Sequence, residues 1–400
     1  MLLSSRLSQS ARLRSLRHFT VLALESSADD TCAAIVNSNK RILSNVRIKQ
    51  NDLHEKWGGI HPAVAILAHQ RNMPIAIKRA LEEAKMDVKD VDGIAFTRGP
   101  GIPGCLAVGC NSAKALAAAL DKPLVGVHHM QAHALTPILT SPSTSSSQLK
   151  FPFLTLLASG GHTLLLLSRS PTHFQILATT LDESIGRTID KVARILQVPG
   201  WAEIGPGAAL EVFCRGGGGG GDNLPPDFPP FPKPIPGKLA FSFSSLHSHL
   251  ERYFSGKKEM EEESRRAIAI AFQESAFGQL IDKIKLSLSS PTSGMEGVEH
   301  LVVSGGVASN SVLRDRLKTT LSKYSITPVF PPPDLCTDNA AMIAWASMYR
   351  FLGEGLDLDL TRTSATREDM DPLTIAPKAK WSIEDLREEG KGNESGDGLW

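Results

Sequence analysis

The chain repeats one short scheme twice: an apolar strand, a turn of small polar residues, and a second apolar strand. The first copy begins at Val21 and the second at Phe151, and both are typical of strands that pair as a hairpin. Strands and helix-like segments alternate after each copy, which predicts an α/β fold of two related halves. Backbone amides in turns of glycine and serine approach anions closely, so two such hairpins facing each other across a cleft would clasp a phosphate chain.

Hydrophobic periodicity and glycine or proline punctuation predict the main elements that follow each hairpin. Helices are expected over the amphipathic and alanine-rich segments, at residues 62–84, after Gly104 to Leu120, after His129, at 182–196, at 259–288 and from Asp338 onward. Strands are expected over the apolar runs at residues 93–97, 123–127 and 300–304.

Composition divides the chain into four segments. In chain order they are a leader at residues 1–19, a first α/β lobe at 20–145, a second α/β lobe at 146–350 with a glycine- and proline-rich surface insertion at 215–237, and a C-terminal extension at 351–400 that ends in a partly loose polar tail.

The leader at residues 1–19 predicts where in the cell the protein is located. It contains four arginines, several serines and leucines, and no acid before Glu25. A basic, serine-rich, acid-free segment is typical of a mitochondrial transit peptide, which predicts the mitochondrial matrix as the location. The alternative is a disordered basic tail.

Charge and cysteine content narrow the classes of partner. The formal net charge of the 400 residues is +1, so a nucleic acid would be held by a local basic patch and not by the whole surface. The five cysteines form no Cys-x-x-Cys pair and are interpreted as reduced thiols. No apolar run reaches the roughly 18 residues of a membrane span, and no membrane partner is expected.

Two histidines and a distant aspartate form a candidate metal site. His129 and His133 follow an apolar strand and begin a helix-like segment, where a spacing of four residues puts both imidazoles on one face. Asp338 follows much later, in the segment Leu-Cys-Thr-Asp-Asn-Ala-Ala-Met-Ile-Ala, at the start of a predicted helix. Two imidazoles and a carboxylate suit one divalent ion with positions open for substrate. The alternative for the histidines is a solvated helix face or a satisfied core position.

Several turns and acids are candidates for binding phosphate or ribose. The turn Ser159-Gly-Gly-His-Thr163 would hold phosphate, or it is a plain hairpin turn whose glycines supply positive φ. Asn310 follows a glycine pair and either lies at an anion site or only caps a helix. Asp190 would accept ribose hydroxyls, or it is a solvated helix aspartate beside Lys191. In the first turn, Glu25, Asp29 and Asp30 would organise a metal-bound phosphate or transfer a proton, unless aspartate is there for turn propensity.

Taken in order, these motifs resemble the TsaD-type tRNA N6-adenosine threonylcarbamoyltransferases, a family within the actin-like ATPase (ASKHA) superfamily. The similarity covers roughly residues 20–350. With its transit-like leader, the chain resembles the mitochondrial member of the family. The matching stretches are Leu24–Thr31, Asn51–His54, Gly58-Gly59, Arg98–Gly101, Val127–His133, Ser159–Thr163, Ile189–Arg194, Phe241–Ser244, Ser304–Asn310 and Cys336–Ala344.

The resemblance implies an actin-like fold, with two α/β lobes and a nucleotide and metal cleft between them. It implies transfer of threonylcarbamoyl from threonylcarbamoyl-AMP to N6 of the adenosine 3′ of the anticodon in mitochondrial tRNAs that read ANN codons, with release of AMP. Its site residues here would be His129, His133 and Asp338 for the metal; Leu157, Ala158, Ser159, Gly160 and Gly161 for the threonylcarbamoyl-phosphate; Asp190 for the ribose; Gly207 and Asn310 for the adenosine; and Asp29 or Asp30 for the proton of N6.

The resemblance also implies one divalent metal ion per subunit, with zinc or iron favoured over magnesium. A separate synthase would supply threonylcarbamoyl-AMP, and the subunits would form a homodimer. The chain departs from the usual family pattern at three places with acids and in one loop. Ala28-Asp29-Asp30 stands where the family has Cys-Asp-Glu, Ala63 and Arg187 stand where it has glutamate, and the loop reads Gly205-Pro-Gly-Ala208.

Three other functions compete with this interpretation. A metalloprotease of the zincin type needs glutamate directly after the first histidine, and Met130 stands there. A non-catalytic nucleotide-binding scaffold or chaperone on the same fold stays open, because fold does not fix function. A sugar kinase would need a sugar pocket, and the sequence indicates none.

Overall fold

The computed structural model describes residues 18–54, 57, 59–141, 149–216, 224–255, 260–289, 294–353 and 372–387. The leader prediction therefore lies almost wholly outside the described residues. Part of the insertion at 215–237 and most of the C-terminal extension lie outside them as well.

Ten strands and twelve helices are described here in chain order. The strands are β1 (Thr20–Glu25), β2 (Thr31–Asn37), β3 (Ile42–Ile48), β4 (Gly93–Gly99), β5 (Leu124–His128), β6 (Phe153–Ala158), β7 (Thr163–Ser168), β8 (Phe174–Thr179), β9 (His300–Ser304) and β10 (Thr327–Val329). The helices are α1 (Asn51–His54), α2 (Pro62–Ala84), α3 (Pro103–Leu120), α4 (His129–Thr140), α5 (Ile185–Ile195), α6 (Trp201–Ile204), α7 (Pro206–Arg215), α8 (Ser244–Phe254), α9 (Glu262–Leu288), α10 (Ser311–Leu321), α11 (Pro333–Cys336) and α12 (Ala340–Leu352).

The two sheets have the same topology, which confirms the predicted α/β fold of two related halves. The first sheet has the strand order β3-β2-β1-β4-β5, and the second has the equivalent order β8-β7-β6-β9-β10. In each, the hairpin strands are antiparallel, while the strands that follow a helical crossover run parallel to the hairpin's first strand. A local repeat in sequence thus corresponds to a repeat of a whole five-stranded sheet.

The central strands are apolar because both faces of each sheet are covered. Strands β1, β2, β6 and β7 are buried along their whole length. One core lies between the first sheet and helices α2 and α3 and includes Phe96, Met73 and Cys110. The other core joins the second sheet to helices α5, α8, α9 and α10. Strands buried on both faces lose the alternating pattern of half-buried strands.

The described residues cluster into two compact units. The first takes its described residues from the ranges 1–49, 65–129 and 339–380, and the second takes its own from 50–64, 130–338 and 381–400. Helix α12 packs on β1, β2 and β4 of the first sheet, so its contacts lie with the first unit although lobe boundaries drawn along the sequence give it to the second.

Most predicted elements match the structure, with shifts of a few residues at their ends. Helix α2 and strand β9 have the predicted bounds. The prediction that a helix contains Asp338 is wrong: this residue lies in a bend, and α12 begins at Ala340 because the Asn339 side chain accepts a hydrogen bond from the Met342 amide at 2.9 Å. Among the described residues, no helix combines the length and apolarity that a bilayer crossing requires.

Candidate metal centre and substrate-binding turns

The start of helix α4 brings two imidazoles together. Strand β5 ends at His128 and the helix begins at His129 without an intervening loop. His133 follows one helical turn later, and both side chains are buried. A separation of four residues on a helix places the two rings on one face, as the sequence predicts.

Asp338 meets this helix from far along the chain. Its Oδ1 atom lies 3.1 Å from Nε2 of His133, and its side chain keeps partial contact with solvent. One potential ligand atom each from His129, His133 and Asp338 lies within 4.8 Å of the others. In the part of the chain that the structure describes, this is the one such group of three. Two imidazoles and a carboxylate are a donor set that Zn²⁺ and Fe²⁺ accept, so the residues fit a divalent ion.

Glu25 contacts the first histidine, a link that sequence reasoning missed. The carboxylate is fully buried at the end of β1, and its Oε2 atom lies 3.0 Å from Nδ1 of His129. It also accepts hydrogen bonds from the Ser27 amide and the Thr97 hydroxyl. An acid directly after a buried apolar strand was the available signal, but nothing in the local sequence indicates its partner.

The first turn places Asp29 and Asp30 at half-buried positions between β1 and β2. Asp30 lies 3.9 Å from the Arg47 guanidinium of β3, the outer limit of an ion pair. Asp29 lies near the Cys105 thiol, whose pKa is raised to about 12, first by burial and then by this carboxylate. The proton-transfer role predicted for either aspartate stays a prediction.

His69 of α2 anchors this first turn. Its Nε2 donates to the Ala28 carbonyl at 2.9 Å, and its Nδ1 lies 2.8 Å from the Thr31 hydroxyl. Burial lowers the pKa of His69, an effect that the Ala28 hydrogen bond and the charge of Glu25 only partly offset. The imidazole is therefore neutral, and it holds the turn from the helix side.

In the second unit, the predicted phosphate turn joins β6 to β7. Leu157 and Ala158 end the buried strand, and the Ser159 amide donates to the His162 carbonyl at 2.9 Å. Gly160 and Gly161 are exposed, neither has positive φ, and no atom lies within 4 Å of a Cβ built on either. The alternative that these glycines supply positive φ is therefore wrong. Their lack of side chains leaves open space beside the backbone.

The start of helix α5 packs directly against this turn. Ser184 caps the helix, and its hydroxyl donates to the Gly160 carbonyl at 2.5 Å. A Cβ at Gly186 would lie 2.5 Å from the Ser159 carbonyl oxygen, so only glycine permits this approach. Asp190 lies farther along the same helix at a half-buried position.

The loop after β9 packs against the same strand end. Gly305 has φ +98°, and a Cβ there would lie 2.4 Å from the Ala158 carbonyl oxygen. Asn310 is buried and caps α10 by accepting from the Leu313 amide at 3.2 Å. The capping alternative is therefore correct as a description of its contacts, and a role toward adenosine stays a prediction. Gly207, near the start of α7, has open space, with Ile189 the nearest side chain at 3.8 Å from a built Cβ.

Two acids beside helix α5 belong to hydrogen-bond networks. Glu183 lies 2.5 Å from Nδ1 of His247 and 2.6 Å from Nζ of Lys191. Asp182 accepts from the hydroxyls of Ser242 and Ser244, both at 2.6 Å. The Asp182 network joins the start of α5 to the segment Phe241–Ser244, and the Glu183 network joins it to α8. They explain why the polar Ser242 and Ser244 alternate with the apolar Phe241 and Phe243.

The family model described as tRNA N6-adenosine threonylcarbamoyltransferase (TsaD) matches residues 41–345. A protein of that name from Novosphingobium aromaticivorans is 37% identical over 374 residues, which cover 91% of this chain and 96% of the relative. Its namesake from Rickettsia massiliae is 34% identical over 372 residues, covering 92% and 98%.

Among solved structures, full-length HypF in its phosphate- and nucleotide-bound form is similar with a TM-score of 0.50 at 14% identity. The similarity covers 84% of this chain and 57% of that chain. At this identity it supports the actin-like α/β fold alone, in agreement with the two sheets of equal topology.

Proposed function

This chain belongs to the tRNA N6-adenosine threonylcarbamoyltransferase family, and on that premise we propose that it modifies mitochondrial tRNAs that read ANN codons. N6 of the adenosine 3′ of the anticodon attacks the carbamoyl carbon of threonylcarbamoyl-AMP. The bond from that carbon to the phosphate oxygen breaks, AMP leaves, and N6 loses a proton. The observation that carries this proposal is the grouping of His129, His133 and Asp338 in a chain of this family.

We propose that His129, His133 and Asp338 hold one divalent metal ion, zinc or iron in preference to magnesium. When bound, such an ion supplies Lewis-acid stabilisation of charge on the leaving phosphate. The two imidazoles reach it from one helix face and the carboxylate from the bend after α11. Because the substrate is already an activated mixed anhydride, the protein needs to orient the reactants more than to supply a nucleophile.

The turn Ser159–Thr163 and its neighbours are proposed to bind the adenylate. The open space beside Gly160 and Gly161 supports a close approach of phosphate oxygens to the backbone. Asp190 would accept the ribose hydroxyls, and Gly207 would leave room for the adenosine on the adjoining helix. Asn310 would flank the base. Asp29 or Asp30 would accept the proton of N6.

We propose the mitochondrial matrix as the location and a homodimer as the assembly, with a separate synthase supplying threonylcarbamoyl-AMP. The arginine-rich leader supports the location. Helix α2 supports the assembly, because its Leu67 and Ile75 are 66% and 47% exposed. The same helix lines a groove of about 540 Å³, where the apolar Pro74, Ile77 and Leu81 stand among the charged Lys78 and Glu82. A Leu67→Glu variant that stays dimeric by light scattering would exclude this face.

Reconstitution tests the activity. The full chain is combined with threonine, bicarbonate, ATP, a threonylcarbamoyl-AMP synthase and mitochondrial tRNA, and modified adenosine is measured. We expect His129→Ala and Asp338→Ala to abolish product. Asp315→Ala is the matched control, since this carboxylate is 75% exposed on α10 and pairs only with Lys318 among the described residues.

Gene deletion distinguishes the enzyme hypothesis from the scaffold hypothesis. Loss of threonylcarbamoyl-adenosine from mitochondrial tRNA is expected for the enzyme. Unchanged modification together with loss of a protein complex would instead favour the scaffold, and full activity of both alanine variants would refute the role given to the metal.

A further inference from the structure

We infer that Glu25 is a positioning residue for the metal ligand His129, which it holds in the tautomer that presents an unprotonated Nε2. This inference rests on the metal site proposed above. Glu25 would not bind the ion or touch the substrate, and its effect would pass through the imidazole alone.

The geometry around Glu25 is that of an acceptor facing several donors. Its Oε1 atom accepts from the Ser27 amide at 2.5 Å. Its Oε2 atom accepts from the Thr97 hydroxyl and lies 3.0 Å from Nδ1 of His129. The carboxylate has no solvent exposure, and the His129 side chain has almost none. Strand β1, strand β4 and the start of α4 therefore meet at one carboxylate.

The tautomer follows from what these groups can donate. An ionised carboxylate only accepts hydrogen bonds, so Nδ1 of His129 must carry the proton that it shares with Glu25. In a neutral imidazole the other nitrogen, Nε2, then has the lone pair that a metal needs. The Ser27 hydroxyl, 3.3 Å from the same Nδ1, can rotate to accept as well and does not oppose this arrangement.

Holding a histidine in this way strengthens a metal site. A carboxylate behind a ligating imidazole fixes the ring and makes its free nitrogen a better electron-pair donor, and losing such a partner typically costs about 10- to 100-fold in metal affinity. Because His129 is the first residue of α4, helix geometry orients its backbone but leaves its ring to be fixed by side-chain contacts. The Glu25 carboxylate lies 3.0 Å from Nδ1 of that ring, closer than the Ser27 hydroxyl at 3.3 Å.

Glu25→Gln is the sharpest substitution because it keeps size and shape. If the amide oxygen faces His129, the amide NH₂ meets the Ser27 N–H, donor against donor. If the amide is flipped, its NH₂ faces Nδ1 of His129, which must then accept and move its proton to Nε2. Either arrangement damages the site, and the second one blocks the metal-binding atom itself.

Glu183→Gln is the matched control. Glu183 is also a largely buried carboxylate, with 12% of its side chain exposed, and it contacts a histidine, with Oε1 2.5 Å from Nδ1 of His247. Neither residue belongs to the group His129, His133 and Asp338. A general effect of losing a buried acid would appear in both variants, whereas an effect on the metal ligand would appear only in Glu25→Gln.

Two measurements on the full chain test the inference. The dissociation constant of Zn²⁺ is obtained by competition with a chelator, and the tautomer of His129 is read from ¹⁵N shifts of histidine-labelled, metal-free protein. We expect Nδ1 protonation in the wild type, a loss of about 10- to 100-fold in Zn²⁺ affinity for Glu25→Gln, and wild-type affinity for Glu183→Gln.

The outcomes separate this inference from the proposed function. A wild type that shows the expected tautomer and binds no Zn²⁺ would refute the metal and leave the contact with Glu25 intact. Zn²⁺ affinity within threefold of wild type in Glu25→Gln, with an unchanged tautomer, would overturn the inference. Should this variant not fold, the wild-type spectrum still decides, because a proton on Nε2 of His129 overturns it as well.

Discussion

The Nε2 atom of His133 lies 3.1 Å from Oδ1 of Asp338, although 205 positions of sequence separate the two residues. The histidine is fixed by helix α4, whereas the aspartate lies in the bend between α11 and α12. The buried imidazole and the partly exposed carboxylate thus leave an approach from solvent.

Replacing this carboxylate should weaken metal binding more than losing an indirect partner would. Asp338→Asn keeps the shape and a hydrogen-bond acceptor for His133 but removes the negative charge that attracts the ion. We expect Zn²⁺ affinity to fall by at least about 100-fold, beyond the usual loss for a residue behind a ligand. Chelator competition measures it, with Asp315→Asn on the exposed face of α10 as the control. Unchanged affinity would remove Asp338 from the site.

A methyl group at Gly186 should displace the phosphate turn. Alanine normally stabilises a helix interior relative to glycine by roughly 1 kcal/mol. At Gly186 the new Cβ would lie 2.5 Å from the Ser159 carbonyl oxygen, so the turn and the helix must separate. We expect Gly186→Ala to lower the free energy of unfolding by about 1–3 kcal/mol, the usual cost of overpacking, as measured by urea denaturation. A stabilised variant would show that the contact is looser than described.

The comparison variant for Gly186 lies on the neighbouring helix. At Gly207 a built Cβ meets nothing closer than the Ile189 side chain at 3.8 Å, so Gly207→Ala should fold with wild-type stability. If Gly207 flanks the adenosine, the same methyl group enters the space of the ligand and raises KM for the adenylate. Wild-type stability together with wild-type KM would remove Gly207 from the binding site.

The buried histidine behind the first turn should make stability depend on pH. Burial lowers the pKa of His69 below its ordinary value, so below about pH 6.5 the unfolded chain binds a proton that the folded chain refuses. The free energy of unfolding should therefore reach its full value above that pH and decrease as the pH falls below it. His69→Gln can keep a donor for Ala28 and an acceptor for Thr31 and cannot titrate. Urea denaturation at pH 8 and pH 5 should show a smaller difference in this variant, and an equal difference would contradict the assignment.

Much of the fold was predictable because its signals are local. The hairpin scheme at Val21 and Phe151 is a matter of adjacent residues, and it correctly indicated two related sheets. Strands β3 and β8 were missed because they are only partly buried and lack a continuous apolar run. Helix α12 reads as a helix from its own sequence, but its packing on the first sheet depends on contacts far apart in the chain.

The candidate site likewise has a local part that the sequence predicts and long-range contacts that it does not predict. Two histidines four residues apart on one helix can be read from sequence, since helix geometry alone places them. The partner of His129 cannot, because Glu25 is 104 positions away and reaches the ring only once β1 has paired beside β4. Asn310 shows the opposite difficulty: its local capping contact is fully explained, and that contact neither supports nor excludes a ligand.

Asp182 ties the loop before α5 to the segment Phe241–Ser244 through hydrogen bonds. Burial alone would raise the pKa of its carboxyl, but hydrogen bonds from the hydroxyls of Ser242 and Ser244 and from backbone amides outweigh it and bring the pKa to about 2. A carboxylate with a depressed pKa stabilises the folded state above its ordinary pKa of about 4 and loses that effect as the pH falls toward 2. Asp182→Asn should therefore lower the free energy of unfolding at pH 7 by about 1 kcal/mol, a modest value because solvent weakens hydrogen bonds to a partly exposed charge.

The difference in the free energy of unfolding between wild type and Asp182→Asn should then become smaller as the pH falls from 5 toward 2. Urea denaturation at each pH measures it. Asp282→Asn is the control, because this aspartate is 73% exposed on α9 and its ion pair with Lys285 is 4.0 Å long. It should match wild type at every pH. A difference in the free energy of unfolding that stays constant over this pH range would contradict the prediction. It would mean that the hydroxyls of Ser242 and Ser244 bind a neutral amide as well as they bind the carboxylate. Ionisation of Asp182 would then contribute nothing to holding Phe241–Ser244 against α5.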